Sequence, residues 1–161
     1  MSVVSTGALI HLTRAGALYL LKELYEEIYI PREVYEEIVI KGKSIGAPDA
    51  YEIDGQIGKW IKIEDVAYPE EIVNRSGLHR GEIAAIYLAR QKNLELIVDD
   101  HAARQFATGL GINIRGSIGI IILGVKKKII TPSKGKEYME KLSRVMYLSN
   151  DVYLRALKLL E

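Results

Sequence analysis

Leu96-Ile97-Val98-Asp99-Asp100-His101-Ala102-Ala103-Arg104 is the stretch on which the fold turns. An apolar run of strand length ends in two carboxylates, and a helical pattern follows at once. The run is short, rich in branched residues and not alternating, so it reads as a central parallel strand buried on both faces. In an open α/β sheet the carboxyl ends of such strands form the crevice where ligands bind. Two acids placed there are crowded and partly desolvated, and keeping both charged is costly without a cation between them.

Outward from that strand, strand-like and helical segments alternate. Val3-Val4 is a minimal strand that stops at Ser5-Thr6-Gly7, with Ser5 or Thr6 capping a helix through Leu12 that Gly16 breaks. Leu18, Leu20, Leu21 and Leu24 continue at helical spacing to Tyr25. Ile28-Tyr29-Ile30 is the second strand, closed by Pro31 at a helix N1 position. The helix that follows has Val34, Tyr35 and Ile38 on its apolar face and ends near Gly42. A helix over Pro48 to Gly58 and an edge strand over Trp60 to Ile63 come next. Glu64 to Ser76 reads as loop, the most mobile part of the core, and Leu78 to Gln91 as the clearest helix. After the Glu95–Val98 strand come a helix from Ala102 to Thr108, a short strand at Ile112–Ile114 and an apolar helix from Ile118 to Val125. Thr131-Pro132 and Ser149-Asn150-Asp151 cap two final helices, to about Leu142 and Leu160. This alternation predicts a parallel sheet covered by helices on both faces. Residues 1–161 read as a single domain with a core over about 1–125 and extra C-terminal helices over about 131–160.

At 161 residues the chain is long enough for one domain to bury roughly 68–70% of its unfolded surface. It has no cysteine, which excludes disulfides, thiolate zinc sites and a cysteine nucleophile. With 22 Lys plus Arg against 21 Asp plus Glu, no global field points to nucleic acid, so any phosphate-binding surface is local. No apolar run approaches the roughly 20 residues that span a bilayer, and the N-terminus has no signal core. A cytoplasmic protein is expected. Abundant Ile, Lys and Glu without Cys leans toward a thermophilic source.

If the strands are parallel, the residues after each strand gather at one sheet edge. Asp99, Asp100 and Ser5 qualify directly. Glu36 and Glu37 lie in the helix after the second strand, and Glu82 opens the helix before the Asp99–Asp100 strand. Clustered carboxylates suit Mg²⁺ or Mn²⁺, which prefer oxygen ligands and keep several waters. Each acid also has a structural explanation. Glu36 and Glu37 fit a solvated face near Lys41, Glu82 a first-turn acid favoured by the helix dipole, and Asp99 or Asp100 an N-cap.

Four segments carry a family resemblance. Val3-Val4-Ser5-Thr6-Gly7-Ala8-Leu9-Ile10 resembles the opening motif of PIN-domain nucleases. Ile30-Pro31-Arg32-Glu33-Val34-Tyr35-Glu36-Glu37-Ile38 is similar to their second motif, with Glu37 at its acid. Leu78-His79-Arg80-Gly81-Glu82-Ile83-Ala84-Ala85-Ile86-Tyr87-Leu88-Ala89 resembles the third, with Glu82 at the acidic position. Leu96 to Arg104 resembles the fourth, with Asp100 as the match and Asp99 adjacent. The likeness runs in order from Val3 to about Val125 and is closest to a prokaryotic branch related to VapC-type toxin nucleases. It implies a three-layer α/β/α fold with a central, mostly parallel sheet, Mg²⁺- or Mn²⁺-dependent RNA cleavage leaving a phosphorylated end, and homodimers. By this resemblance Glu37, Glu82 and Asp100 bind metal and Asp99 assists. The first motif normally carries an aspartate where this chain has Ser5, and a neutral hydroxyl cannot replace a carboxylate's charge.

Arg80, Arg104 and Arg115 near the same edge are candidate phosphate forks. For Arg104 a salt bridge to the acids is the favoured alternative. Thr6 and Ser117 are candidates to orient substrate or water. His11, His79 and His101 are scattered, without metal spacing. The function classes carried forward are a toxin–antitoxin-type metal-dependent endoribonuclease or a degenerate relative, a non-catalytic nucleic-acid- or protein-binding and dimerisation module, and a partner for an antitoxin-like protein.

Overall fold

A computed structural model describes residues 1–161. Its centre is one sheet of five parallel strands, β1 (Ser2–Val4), β2 (Ile28–Pro31), β3 (Ile61–Glu64), β4 (Leu96–Ile97) and β5 (Ile114–Arg115). They lie side by side in the order β3-β2-β1-β4-β5. Val3 pairs with Tyr29 on one side and Leu96 on the other, so β1 is central and β3 is an edge, as its polar interruptions indicate. The chain builds outward from β1 to β3, then crosses to β4 on the opposite side of β1. Such a reversal opens a crevice at the carboxyl ends of the two strands that flank it.

Successive strand residues point to opposite faces, and both faces are buried. Val4, Ile28, Ile30 and Ile97 join the larger core. That core takes in Leu9 and Leu12 of α1 (Thr6–Arg14), Leu20 and Leu21 of α2 (Tyr19–Tyr25) and Ile120 and Ile121 of α9 (Ser117–Lys126). Met139 and Leu142 of α10 (Pro132–Val145) and Ala156 of α11 (Asn150–Leu159) extend it. Val3, Leu96 and Val98 face the smaller core with Ile83 and Ile86 of α7 (Arg80–Lys92) and Ala103 and Ala107 of α8 (His101–Gly109). The result is the expected three-layer α/β/α arrangement, with the C-terminal helices added to one face. No helix is long and apolar enough to cross a membrane.

Local details differ from the sequence reading. Within Glu64 to Ser76, read as loop, α6 (Glu70–Ser76) forms. Glu70 and Glu71 in its first turn complement the helix dipole, Gly77 ends it at φ 75°, and Ile72 and Val73 pack on the smaller core. Pro31 is the last residue of β2 and the N-cap of α3 (Arg32–Tyr35), not N1. The helix that ends near Gly42 runs from α3 through a π-helical stretch, Glu36–Ile40, into α4 (Lys41–Ser44), with Gly42 inside its last turn. A Cβ at Gly42 would lie 2.8 Å from that of Ala50 on α5 (Pro48–Asp54). Gly42 is there to let two helices approach. The remaining differences lie at element ends: α5 stops at Asp54 and not Gly58, α10 runs past Leu142 to Val145, and the rest shift by one or two residues, as at β5.

Candidate active site

The crevice at the ends of β1 and β4 holds a cavity of about 350 Å³. The turn into α1 contributes Ser5, Thr6 and Gly7, and the π-helical stretch contributes Glu37. The start of α7 brings His79 and Glu82, and the β4–α8 turn brings Asp99 and Asp100. The four segments with a family likeness therefore meet at one place. His11, from the second turn of α1, and Met146, just beyond α10, complete the lining.

The acids are held differently. Asp100 is the N-cap of α8, its Oδ2 accepting from the Ala103 N–H at 2.9 Å. Asp99 accepts from the Ser117 N–H at 2.7 Å, the Ser117 hydroxyl at 2.5 Å and Nδ1 of His11 at 2.7 Å. Both Asp99 oxygens are thus engaged inside the protein. Glu37 accepts from the Thr6 hydroxyl at 3.3 Å, and Gly81 leaves it room: a Cβ there would come within 2.9 Å of Glu37 Oε2. Single π-helical turns within α-helices are frequent at functional sites.

Glu82 is the outlier. Its Oε2 is buried and has no hydrogen-bond partner. Burial pushes its carboxyl above the ordinary carboxylate value, and the charge of Asp100 adds to the shift. Ser5 is buried at the N-cap of α1, where an aspartate would add a further carboxylate to those of Glu37, Glu82, Asp99 and Asp100, and its side chain makes no cap bond.

This donor set fits a hard divalent ion only in part. Nowhere do three or more Asp, Glu or His side chains converge as a ready-made metal cage. The unpartnered Glu82 oxygen beside Asp100 is nevertheless a short-range excess of negative charge that a cation would relieve. Magnesium-type ions are commonly held by one or two carboxylates, with waters filling the octahedron. Glu82 and Asp100 meet that lesser requirement, and Glu37 borders the same space.

The arginines are set apart from this cavity. Arg80 pairs with Glu70 through both terminal nitrogens, at 2.7 and 3.0 Å, and borders a neighbouring hollow with Glu36 and Glu37. Arg115 bonds Glu95 at 3.2 Å, on the oxygen that also accepts from Tyr25. Arg104 makes no salt bridge to the acids. Its guanidinium donates to the Val98 carbonyl at 3.1 Å, and both oxygens of Asp99 are already taken by Ser117 and His11. Arg104, Arg115 and His101 line a second hollow of about 490 Å³, which shares Asp99 and Met146 with the first. Ser117 is committed to Asp99.

The sequence reading passed over His11, His79 and Met146. His11 lies 88 residues from the carboxylate it contacts, so no local spacing betrays the pair. Comparison with known proteins gives one positive result. No curated protein and no solved structure matches the chain. A family model, DUF3368, described as a PIN domain, matches residues 1–161.

Proposed function

The chain belongs to the PIN-domain family, and from that membership we propose that it is a metal-dependent ribonuclease. The observation that carries the reading is Glu82: a buried, unpartnered carboxylate oxygen beside Asp100, in a cavity at the switch point of the sheet. Glu82 and Asp100 would hold Mg²⁺ or Mn²⁺, with Glu37 from the π-helical turn completing the acidic wall. The bound ion supplies charge neutralisation and a more acidic water. The protein's part is to fix the two carboxylates on the first turn of α7 and the cap of α8, which are rigid elements. Water attacks phosphorus as the bond to the leaving nucleoside oxygen breaks, and one product keeps the phosphate. The four motifs in order support kinship with the VapC-type toxin nucleases of prokaryotes, working as homodimers against RNA, with an antitoxin-like protein as partner.

Calorimetry with Mn²⁺ tests this on the wild type, Glu82→Ala and Asp100→Ala. Binding that disappears in both variants, with RNA cleavage that disappears alongside it, is the expected result. Binding that is unchanged in both removes the metal from this cavity.

A second reading has its own observation. Ser5 stands where the family carries an aspartate, and no three-acid group is assembled. On that reading the crevice serves non-catalytic binding of nucleic acid or protein. Ser5→Asp separates the two. A gain in Mn²⁺ affinity on the order of tenfold, with cleavage, supports the nuclease reading, since ligand charge count tunes affinity for hard ions. No gain in either supports the binding module.

A further inference from the structure

Asp99 takes three hydrogen bonds, and two of them come from one residue, Ser117, on α9. The third comes from Nδ1 of His11 at 2.7 Å, on a helix packed across the crevice. The Asp99 side chain is 5% exposed and that of His11 25%. A buried carboxylate can only accept, and the two Ser117 groups both donate to it. The hydrogen is therefore on Nδ1 of His11, and the lone pair of the neutral ring is on Nε2. Nε2 has no partner within the protein, and the buried unpartnered side-chain atoms are Ser2 Oγ and Glu82 Oε2 alone. Nε2 is therefore accessible, on a side chain that lines the cavity. Ser117 and His11 each bond Asp99 and not one another, so this is not a serine nucleophile with its base. It is an imidazole oriented by a carboxylate.

We infer that His11 is the proton-transfer residue of this cavity, and that Asp99 positions it. The inference rests on the hydrolase reading above. Nε2 takes a proton from the attacking water as the new O–P bond forms and the bond from phosphorus to the leaving nucleoside oxygen breaks. The proton then passes from Nε2 to bulk water, and the leaving oxygen takes one from bulk water, so water is the only co-reactant. The titratable groups that face the cavity from the other elements are Glu37, His79, Glu82, Asp99 and Asp100. Of these only Asp99 touches His11. A base of this kind contributes about 10²- to 10⁴-fold. It would also lessen the dependence on a fully charged metal site in a chain that has Ser5 in place of an acid.

Two measurements test it separately. Nitrogen-15 NMR of the histidine ring reads the tautomer directly, with no need for metal or turnover. The Nδ1–H form is expected in the wild type, with the preference lost in Asp99→Asn. A wild-type ring with its hydrogen on Nε2 overturns the inference. Cleavage of a single-stranded RNA with Mn²⁺ is then compared across pH for the wild type, His11→Gln and His11→Ala. Expected are a fall of at least about 100-fold, a pH profile that departs from that of the wild type, and partial rescue of His11→Ala by added imidazole. Melting curves that match the wild type show both variants folded, and His11→Asn serves if either is not. Wild-type rates and pH profile in the folded variants overturn the role of His11 alone. No cleavage by the wild type overturns the hydrolase reading and the catalytic role with it, whatever the tautomer.

Discussion

Glu82→Gln should raise the stability of the metal-free protein while removing its response to metal. The wild-type carboxylate has a buried oxygen with no partner, a burden of about 1–3 kcal/mol for a group of this kind. Its raised value fixes the sign of the pH dependence. A carboxyl that protonates more readily folded than unfolded stabilises the fold below its unfolded value. That contribution is lost as the pH rises through the folded value, and at neutral pH the charge is a net cost. Glutamine removes the charge, and its amide can donate toward Asp100. A gain of about 1 kcal/mol at neutral pH corresponds to a melting temperature higher by about 2–4 °C in a chain of this size. The gain should shrink toward zero below the carboxylate range. In the wild type, Mn²⁺ at about 100 times its dissociation constant should add about 2.7 kcal/mol, and the variant should show none of it. Melting curves across pH, with and without Mn²⁺, measure both quantities. A variant that melts lower than the wild type at neutral pH without metal, or that keeps the full Mn²⁺ shift, refutes the reasoning.

Three further substitutions probe other parts of the argument. Asp99→Asn turns an amide hydrogen toward a set of three donors, which should cost about 2–3 kcal/mol by urea denaturation. A cost below about 0.5 kcal/mol would mean that the contacts of Asp99 are not formed in solution. Gly135→Ala puts a Cβ 2.6 Å from Val125 and 3.2 Å from Leu160, where α9, α10 and α11 meet. Overpacking there should outweigh the better helix propensity of alanine and destabilise by about 1–2 kcal/mol; a more stable variant would show the C-terminal helices to be loosely docked. Arg80→Ala should leave metal binding intact, because its guanidinium is engaged with Glu70 outside the main cavity. Arg80 holds the Glu70 carboxyl below its ordinary value, so the contribution of the pair is present at neutral pH and fades as pH falls through the carboxylate range. The variant should lose that acid limb of the denaturation profile.

The sheet was legible because its signal is local. Leu96-Ile97-Val98 is apolar without alternation because its side chains serve both cores, and the acids after it mark the strand's end. The convergence of Ser5, Glu37, Glu82, Asp99 and Asp100 followed from parallel topology, which takes no long-range information beyond the alternation of elements. The contact between His11 and Asp99 was not legible, since helix phase and crossing angle decide it and neither is written in spacing. The helix at Glu70–Ser76 was hidden by its brevity and by polar residues that resemble a loop. The arginine partners were also out of reach. Arg80 and Arg115 each chose a nearby glutamate, Glu70 and Glu95, over the acids of the crevice.

The π-helical stretch at Glu36–Ile40 has a consequence for the tolerance of this segment to change. An α-helix turns about 100° per residue, and a π-turn takes up one residue more than its neighbours before the spiral resumes. Glu37 lies inside the wide turn and Gly42 in the regular helix after it, so the turn sets the angle of the acid separately from the joint with α5. Deleting any one residue between Glu36 and Ile40 would let the spiral relax to regular α-helix. Because the wide turn holds that one residue extra, its loss would leave the helix beyond it in phase, and Gly42 would stay opposite Ala50. Substitutions along this segment act one side chain at a time, whereas a single-residue deletion removes the wide turn at the acid and keeps the helix crossing.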